Sequence, residues 1–368
     1  MKKLLLASTA LIGFAGAAAA EVVVEGYVEM GVTGGDLKET QFHNSYRLLF
    51  VMSGETDTGL SFGATYSREA DNTSEENQDT TPDNGTVFIS GAFGKLTLGD
   101  TDGALDWAMT EPALGTSLLD EHTTHIGYWG NGDGYYDDQV LRYEYAFGDF
   151  GFALSLEQDD GDANDDDITD TVGGDDVDTG DLMIGIGGKY ATEYAGVQLG
   201  FGLGFQTGEG HLRRALYSDV ADDYFGYDIF GELDSVGISA SAKMDNGLSL
   251  ILNYSTFDMD ISYATVRDSD GLIIGAGDVD ESLTLDHYGV GIGYQMGALL
   301  LAANWGKWEY DLPSALDGAG IEESYDSFSV LANYDLGGGA VLAAGYASDI
   351  SYEDGDQNLY SLGMSLSF

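Results

Sequence analysis

Apolar and polar side chains alternate with a period of two through about sixteen stretches of roughly ten residues. The last stretch, Tyr360-Ser361-Leu362-Gly363-Met364-Ser365-Leu366-Ser367-Phe368, ends the chain on an aromatic. Successive side chains of an extended strand point to opposite faces, so each stretch has one apolar and one wet face. In the ninth predicted strand Val197, Leu199, Phe201, Leu203 and Phe205 share one face, while Gln198, Gly200, Gly202, Gly204 and Gln206 share the other. The twelfth sets Tyr288, Val290, Ile292 and Tyr294 against His287, Gly289, Gly291, Gly293 and Gln295. A soluble sandwich alternates too, with its apolar faces turned into a core. Aromatics near the strand ends favour a membrane barrel instead: Tyr27, Tyr46, Tyr66, Tyr143, Phe147, Tyr190, Tyr254, Tyr294, Tyr334 and Phe368 suit interfacial girdles.

The connections alternate as well, short then long. The short ones are Gly54 to Gly59, Phe93-Gly94, Gly148-Asp149, Ala191 to Gly196, Asp245 to Gly247, Met296-Gly297 and Gly337 to Gly339. All carry Gly, Asn or Asp, which tolerate the backbone angles of tight hairpins. The predicted long loops are Gly34 to Gln41, Ala70 to Asp83, Thr101 to Asp137, Asp159 to Gly180, Gly208 to Phe225, Asp258 to Leu283, Tyr310 to Glu323 and Asp349 to Asp356. Seven turns and eight loops imply sixteen antiparallel strands with both chain ends on the short-turn side, which is the periplasmic side of an outer-membrane barrel.

Residues Met1 to Ala20 have the three parts of a secretory signal peptide: two lysines, the apolar run Leu4 to Ala15, and small residues ending Ala18-Ala19-Ala20. The expected organisation is a leader over 1–20 and one barrel domain over 21–368. The chain has 13 Lys and Arg against 64 Asp and Glu, a formal net charge of −51, and loss of Lys2 and Lys3 makes it more negative still. Nucleic acid is excluded as a partner, because phosphate binding needs clustered positive charge. Without cysteine there is no disulfide or thiolate chemistry. With 23 Tyr and 16 Phe the acidity does not mark a disordered chain. Salt adaptation stays compatible with a barrel.

Two segments resemble the general porins of alphaproteobacteria, above all those of purple photosynthetic bacteria: MSGETDTGLSFGATY at Met52 to Tyr66 and GTVFISGAFGKLTLGD at Gly85 to Asp100. The DLGGGA turn at Asp335 to Ala340 and the terminal aromatic extend the resemblance along the chain. The resemblance implies a homotrimer of sixteen-stranded transmembrane β-barrels in the outer membrane of a Gram-negative bacterium. Each would be a passive channel for small hydrophilic solutes and ions, with the third long loop folded inward. It also implies that Phe368 signals to the outer-membrane assembly machinery, that the first few strands and the last meet neighbouring subunits, and that no cofactor is required.

The stretch Thr101 to Asp137 is the longest irregular one and follows a short fifth strand, as an inward-folded constriction loop should. It carries Asp102, Asp106, Glu111, Asp120, Glu121, Asp133 and Asp137 and no Lys or Arg. Carboxylates at a narrowing concentrate cations and repel anions, because low-dielectric walls strengthen the field, so cation preference is expected. The resembling porins place basic side chains on the opposite wall. Parity puts Arg47 on a face with Ser45, Leu49 and Val51, and Arg142 on one with Val140 and Glu144, so both are candidates. Pairing of Arg142 with Glu144 is the alternative role. The family pattern has a second arginine two positions before Arg47, where this chain has Ser45. Lys95 and Arg68 read as rim charges.

The acidic run Asp159 to Asp181 offers Asp160, Asp162, Asn164 and Asp166 as oxygen ligands, so calcium is a candidate ion there and a candidate bridge to lipopolysaccharide phosphates. It is not an EF-hand, since Asp165 stands at the sharp-turn glycine position and Thr171 at the bidentate glutamate position. Five histidines (His43, His122, His125, His211, His287) supply no third ligand near the His122–His125 pair for zinc. No lipid-facing Ser and His pair suggests an esterase, so an enzyme is not expected. The reading is an outer-membrane general diffusion porin with a cation-preferring channel. The alternative is a secreted acidic all-β calcium-binding or adhesive protein, soluble without detergent.

Overall fold

A computed structural model describes residues 21–36, 39–71, 85–118, 126, 139–158, 182–218, 223–267, 273–311, 313, 324–352 and 355–368, with 70–71, 211–218, 223–228, 264–267, 273–278, 349–352 and 355–357 described by backbone alone. The strands are β1 Glu21–Gly35, β2 Gln41–Glu55, β3 Ser61–Asp71, β4 Gly85–Gly91, β5 Gly94–Gly99, β6 Val140–Phe147, β7 Phe150–Gln158 and β8 Leu182–Tyr194. They continue as β9 Val197–Ser218, β10 Asp223–Met244, β11 Leu248–Arg267, β12 Ile273–Met296, β13 Leu299–Asp311, β14 Ser324–Gly337, β15 Ala340–Tyr352 and β16 Gly355–Ser367. Among the described residues one short helix, α1 Ala104–Ala108, lies between β5 and β6.

Each strand pairs antiparallel with its sequence neighbours, and β1 closes onto β16 in unbroken register from Tyr27 opposite Ser367 to Gly35 opposite Leu359. Beyond the last strand the terminal residue still bonds β1, with Phe368 N–H donating to Gly26 O at 2.9 Å. A closed ring leaves no free edge where neighbouring strands overlap, so the N–H and C=O groups there pair without water, as a lipid-spanning sheet requires. Closure excludes the open sandwich. The outward band, with Leu203, Ile238, Leu252, Ile292 and Leu362 each more than a third exposed, is what a soluble secreted protein would have to bury.

The inward parity carries Ser155, Gln206, Ser239, Asn253, Asn304, Asn333 and Ser361, all buried. Aromatics border the outer band. A ladder of Tyr145, Phe147, Phe150, Tyr190 and Phe201 runs across β6 to β9 with neighbouring ring centroids 4.7 to 6.4 Å apart. On β11 and β12 Tyr254 meets Tyr288 at 5.2 Å, and Tyr294 marks the other border. Tyr27 departs from the expected girdle: it faces Arg47 in register and donates its hydroxyl to the buried Glu29 at 2.7 Å, so it points inward.

The wall is uneven, from 6 residues in β5 to 24 in β12. The predicted loops at Gly208 to Phe225 and Asp258 to Leu283 are therefore corrected: most of both is strand, paired along β9 with β10 and β11 with β12. Smaller changes extend β3 into 70–71, β15 into 349–352 and β16 into 355–356. The physical cause is an inversion of the alternation. Below it on β11, Leu252 and Tyr254 point out and Asn253 and Ser255 in; above it, Asp258 and Asp260 point out and Phe257, Met259 and Ile261 in. Past the membrane the outside is water, so the outer face turns acidic. The inner face becomes a small core of Met183, Leu233, Phe257, Met259, Ile261, Leu283 and Leu285, with Ile229, Val279 and Tyr310 against it.

This boundary makes a depth-dependent expectation. Leu252→Arg, inside the band, should cost roughly 2–4 kcal/mol in urea unfolding from lipid vesicles, and Asp258→Arg, above it, no more than about 1 kcal/mol. Equal costs at the two positions contradict the boundary.

Candidate functional site

After β5 the chain leaves the wall at Asp100, whose N–H still donates to Gly85 O at 3.1 Å, and residues 101–118 run against inward-facing side chains of successive strands. After Thr101-Asp102-Gly103 the segment forms α1, of sequence Ala-Leu-Asp-Trp-Ala. Its small and apolar residues Ala104, Leu105 and Ala108 are buried, while Asp106 and Trp107 are half-buried on the other side. No side chain caps the helix start at Gly103. Its N-terminal end is held by the wall instead, the Ala104 N–H donating to Ser155 Oγ of β7 at 2.8 Å.

The wall then takes hold of the backbone repeatedly. Thr110 N–H donates to Ser239 Oγ of β10 at 3.0 Å, and Asn253 Nδ2 of β11 donates to Thr110 O at 3.1 Å. Asn333 of β14 grips both sides of Thr116, accepting from its N–H and donating to its carbonyl at 2.8 Å each. Leu118 N–H donates to Ser361 Oγ of β16 at 3.2 Å. Each bond stabilises by about 1 kcal/mol, so together they fix the segment firmly. Between these anchors the wall is glycine: Gly185 and Gly187 on β8, Gly202 and Gly204 on β9, Gly237 on β10, and Gly289, Gly291 and Gly293 on β12.

Three of the predicted acids lie on this seated segment. Asp102 has 63% of its side chain exposed, Asp106 is half-buried and Glu111 is exposed. The surrounding wall pushes the Glu111 carboxyl above the usual carboxylate range, and the like charges of Asp106 and then Asp102 push it the same way. Asp120, Glu121, Asp133 and Asp137 lie outside the described residues, as do the predicted leader, His122, His125 and the oxygen set Asp160, Asp162, Asn164 and Asp166. Among the described residues no group of three or more His, Cys, Asp or Glu is arranged to hold a metal ion.

The two predicted arginines differ. Arg47 on β2 shares the inward face with Ser45, stands opposite Glu69 in register, and is exposed. Arg142 on β6 is 6% exposed, and donates through Nε and Nη2 to Glu144 Oε1 at 3.1 and 2.9 Å and through Nη1 to the Asp102 carbonyl. Its carboxylate partner is thus Glu144, with Asp102 Oδ2 at 3.8 Å as a weaker second. Two lysines join the cluster. Lys95 lies in register with Glu144 at 3.9 Å and over the Phe88 ring at 5.3 Å, and Lys189 sits over the Trp107 ring at 4.3 Å. Lys189 was legible only by parity, which sets it on a face with Gly185 and Gly187. The serine and asparagine anchors had no sequence signal beyond membership of the wet face. Further along the wall His43 Nε2 lies 3.3 Å from Glu29 Oε2, a buried pair beside Tyr27.

Residues 7–357 match the family described as Gram-negative porin. A porin of Rhodobacter capsulatus is 37% identical over 147 residues, which is 37% of this chain and 44% of that protein, so the aligned part spans less than half of the relative. Among solved structures, a porin refined at 1.8 Å resolution superposes with a TM-score of 0.64 at 24% identity, covering 95% of this chain and 100% of the other. An engineered porin of Rhodopseudomonas blastica gives 0.58 at 16% identity, covering 95% and 100%. At such identities the likeness is one of fold.

The Arg142 geometry carries its own test. Arg142→Met strips Glu144 of its close partner and frees the Asp102 carbonyl, and should lower stability by about 3 kcal/mol or more. Arg47→Met, on the open face, should stay within roughly 0.5 kcal/mol of the unmodified protein. Urea titration of the refolded protein reads both, and equal effects overturn the assignment of Arg142 as a brace.

Proposed function

This chain belongs to the Gram-negative porin family, and on that premise we propose that it forms a water-filled, cation-preferring channel for small hydrophilic solutes, with residues 101–118 as its constriction. Its place is the outer membrane of a Gram-negative bacterium, and neither family nor fold is that of an enzyme. The observation that carries the charge preference is an imbalance of access. The carboxylates of Asp102 and Glu111 reach open water, whereas the guanidinium of Arg142 is 6% exposed and tied to Glu144. The charge of Arg142 is offset by Glu144 at 2.9 Å, whereas residues 101–118 carry carboxylates and no Lys or Arg, so the net field of the segment is negative. Asp120 and Glu121 belong to the same proposal. Arg47 remains the one predicted basic residue open to the lumen, and we assign it the positive side of the eyelet.

The finer partners follow from the same reading. A homotrimer is the proposed assembly, with removal of residues 1–20 on export and Phe368, 78% exposed, as the assembly signal. Above the apolar band the outward face carries Asp258, Asp260, Asp286, Glu309 and Asp326, with Lys307 paired to Glu309 as the one described cation among them. At the depth of lipopolysaccharide phosphates such a face needs divalent cations between the two anionic surfaces, and calcium is the proposed bridge, there and at Asp160, Asp162, Asn164 and Asp166.

Reconstitution in planar bilayers should give stepwise conductance and a reversal potential on the cation side. Neutralising Asp102, Asp106 and Glu111 together should move that potential toward zero, more so at low salt, where screening is weak. Anion preference in the unmodified protein contradicts the selectivity, and the lack of any step contradicts the channel. The pH dependence has a definite sign. A carboxyl held above its usual range takes up its proton at a higher pH than an ordinary carboxylate, so Glu111 loses its charge early as pH falls. Cation preference should decline on acidification, and Glu111→Gln should remove the part of the decline that occurs at the highest pH. A titration unchanged by that substitution removes Glu111 from the constriction.

A further inference from the structure

We infer that the bore of the channel is set by the wall: Gly187, Gly202 and Gly291, which no solute touches, fix how far residues 101–118 stand out into the lumen. The inference rests on the channel reading above. It starts from how the segment is recognised. The bonds at Ala104, Thr110, Thr116 and Leu118 all engage backbone N–H or C=O groups, so the wall holds the path of the segment whatever its side chains are. A segment held by its backbone can approach only as closely as the wall allows.

Closeness is decided at three carbonyls. A Cβ built on Gly187 would overlap Ala104 O, one on Gly202 would overlap Ala108 O, and one on Gly291 would overlap Pro112 O, each inside the 3.0 Å that real Cβ atoms keep. The carbonyls recur every four residues from Ala104 to Pro112, so this part of the segment is pressed against the wall between its anchors as well as at them. Each glycine also lies in a strand paired on both sides: Gly187 with Ala153 and Gly204, Gly202 with Lys189 and Ser239, Gly291 with Ile251 and Asn304. A doubly paired strand does not recede for one methyl, so the segment must move inward, by roughly 1 Å, the scale on which packed groups yield. Lifting at Gly187 displaces the stretch that bears Asp106, and lifting at Gly291 the stretch beside Glu111. The same glycines therefore place the selecting carboxylates.

The wall supplies its own graded controls. A Cβ on Gly237 would meet the end of Met109 at 2.7 Å, and one on Gly293 would meet Leu114 Cδ1 at 2.8 Å; both are side-chain ends that turn partly aside. Gly188, adjacent to Gly187 but of outward parity, has nothing within 4 Å of such a Cβ. Unitary conductance of the full barrel should rank accordingly. Gly188→Ala should match the unmodified protein, Gly237→Ala and Gly293→Ala should fall slightly, and Gly187→Ala, Gly202→Ala and Gly291→Ala should fall by roughly a third, as a narrowed polar pore requires. Heat-modifiable migration on gels identifies the folded variants. Conductance of folded Gly187→Ala, Gly202→Ala and Gly291→Ala equal to that of Gly188→Ala overturns the inference. If those three do not assemble, Gly237→Ala and Gly293→Ala decide it: values below Gly188→Ala uphold it, and equal values overturn it. An unmodified protein without conductance defeats the channel reading itself and the inference with it, a result distinct from an unchanged ranking.

Discussion

Hydrocarbon offers nothing to a peptide N–H or C=O, so a sheet that crosses a bilayer must satisfy every strand from its neighbours and end where it began. Here that demand is met between Tyr27–Gly35 of β1 and Leu359–Ser367 of β16. Once closure is given, the two faces of the wall answer to different solvents. The outer face must be apolar only as far as lipid reaches, and the inner face is released from apolarity altogether. That release allows glycine, serine and asparagine to line the interior and make room for a peptide segment laid along it. Where lipid ends, the same rule reverses the faces, and β9 to β12 continue outward as an acid-coated ribbon around a small apolar core.

The charge arrangement inside follows from who can reach water. A chain of net charge −51 has few bases to spend on a lumen, and the described ones are mostly engaged. Arg142 is bound to Glu144 and to the main chain at Asp102, Lys95 lies near Glu144, and Lys189 covers Trp107. The contacts of Arg142 with Asp102 and of Lys189 with Trp107 lock the start of the seated segment against β6 and β8, while Lys95 and Glu144 tie β5 to β6. Arg142 and Lys189 therefore work as braces, and in the proposed channel the open carboxylates on the same segment set the sign of the field. On this proposal, position and selectivity are divided between wall and loop, the first through backbone bonds and the second through side chains.

Much of this was legible in the residues because a period of two is a property of the backbone and survives any choice of side chain. Strand number, the short fifth strand and the parity of Arg47, Arg142 and the glycines of β9 and β12 all follow from it. The tall rim was not legible, since Asp258, Asp260 and Asp286 on the outer face read as loop composition although Phe257, Met259 and Leu285 keep the alternation with its sign changed. Tyr27 was misread for a related reason: an aromatic near a strand end suggests a girdle, but its register with Arg47 and its bond to Glu29 turn it inward. The anchors were invisible for another cause. Ser155, Ser239, Asn333 and Ser361 act across 51 to 243 residues of sequence, and nothing local distinguishes them from any other polar residue of the wet face.

The absence of native cysteine permits a clean single-cysteine spin-label scan along β2 from Tyr46 to Met52, in protein refolded into vesicles. Collisions with dissolved oxygen should peak at 46, 48, 50 and 52, and collisions with a water-soluble nickel chelate at 47, 49 and 51, because one face meets lipid and the other a hydrated lumen. Coincident peaks for the two probes, or chelate access lacking at every position, are incompatible with a closed wall around a water-filled interior.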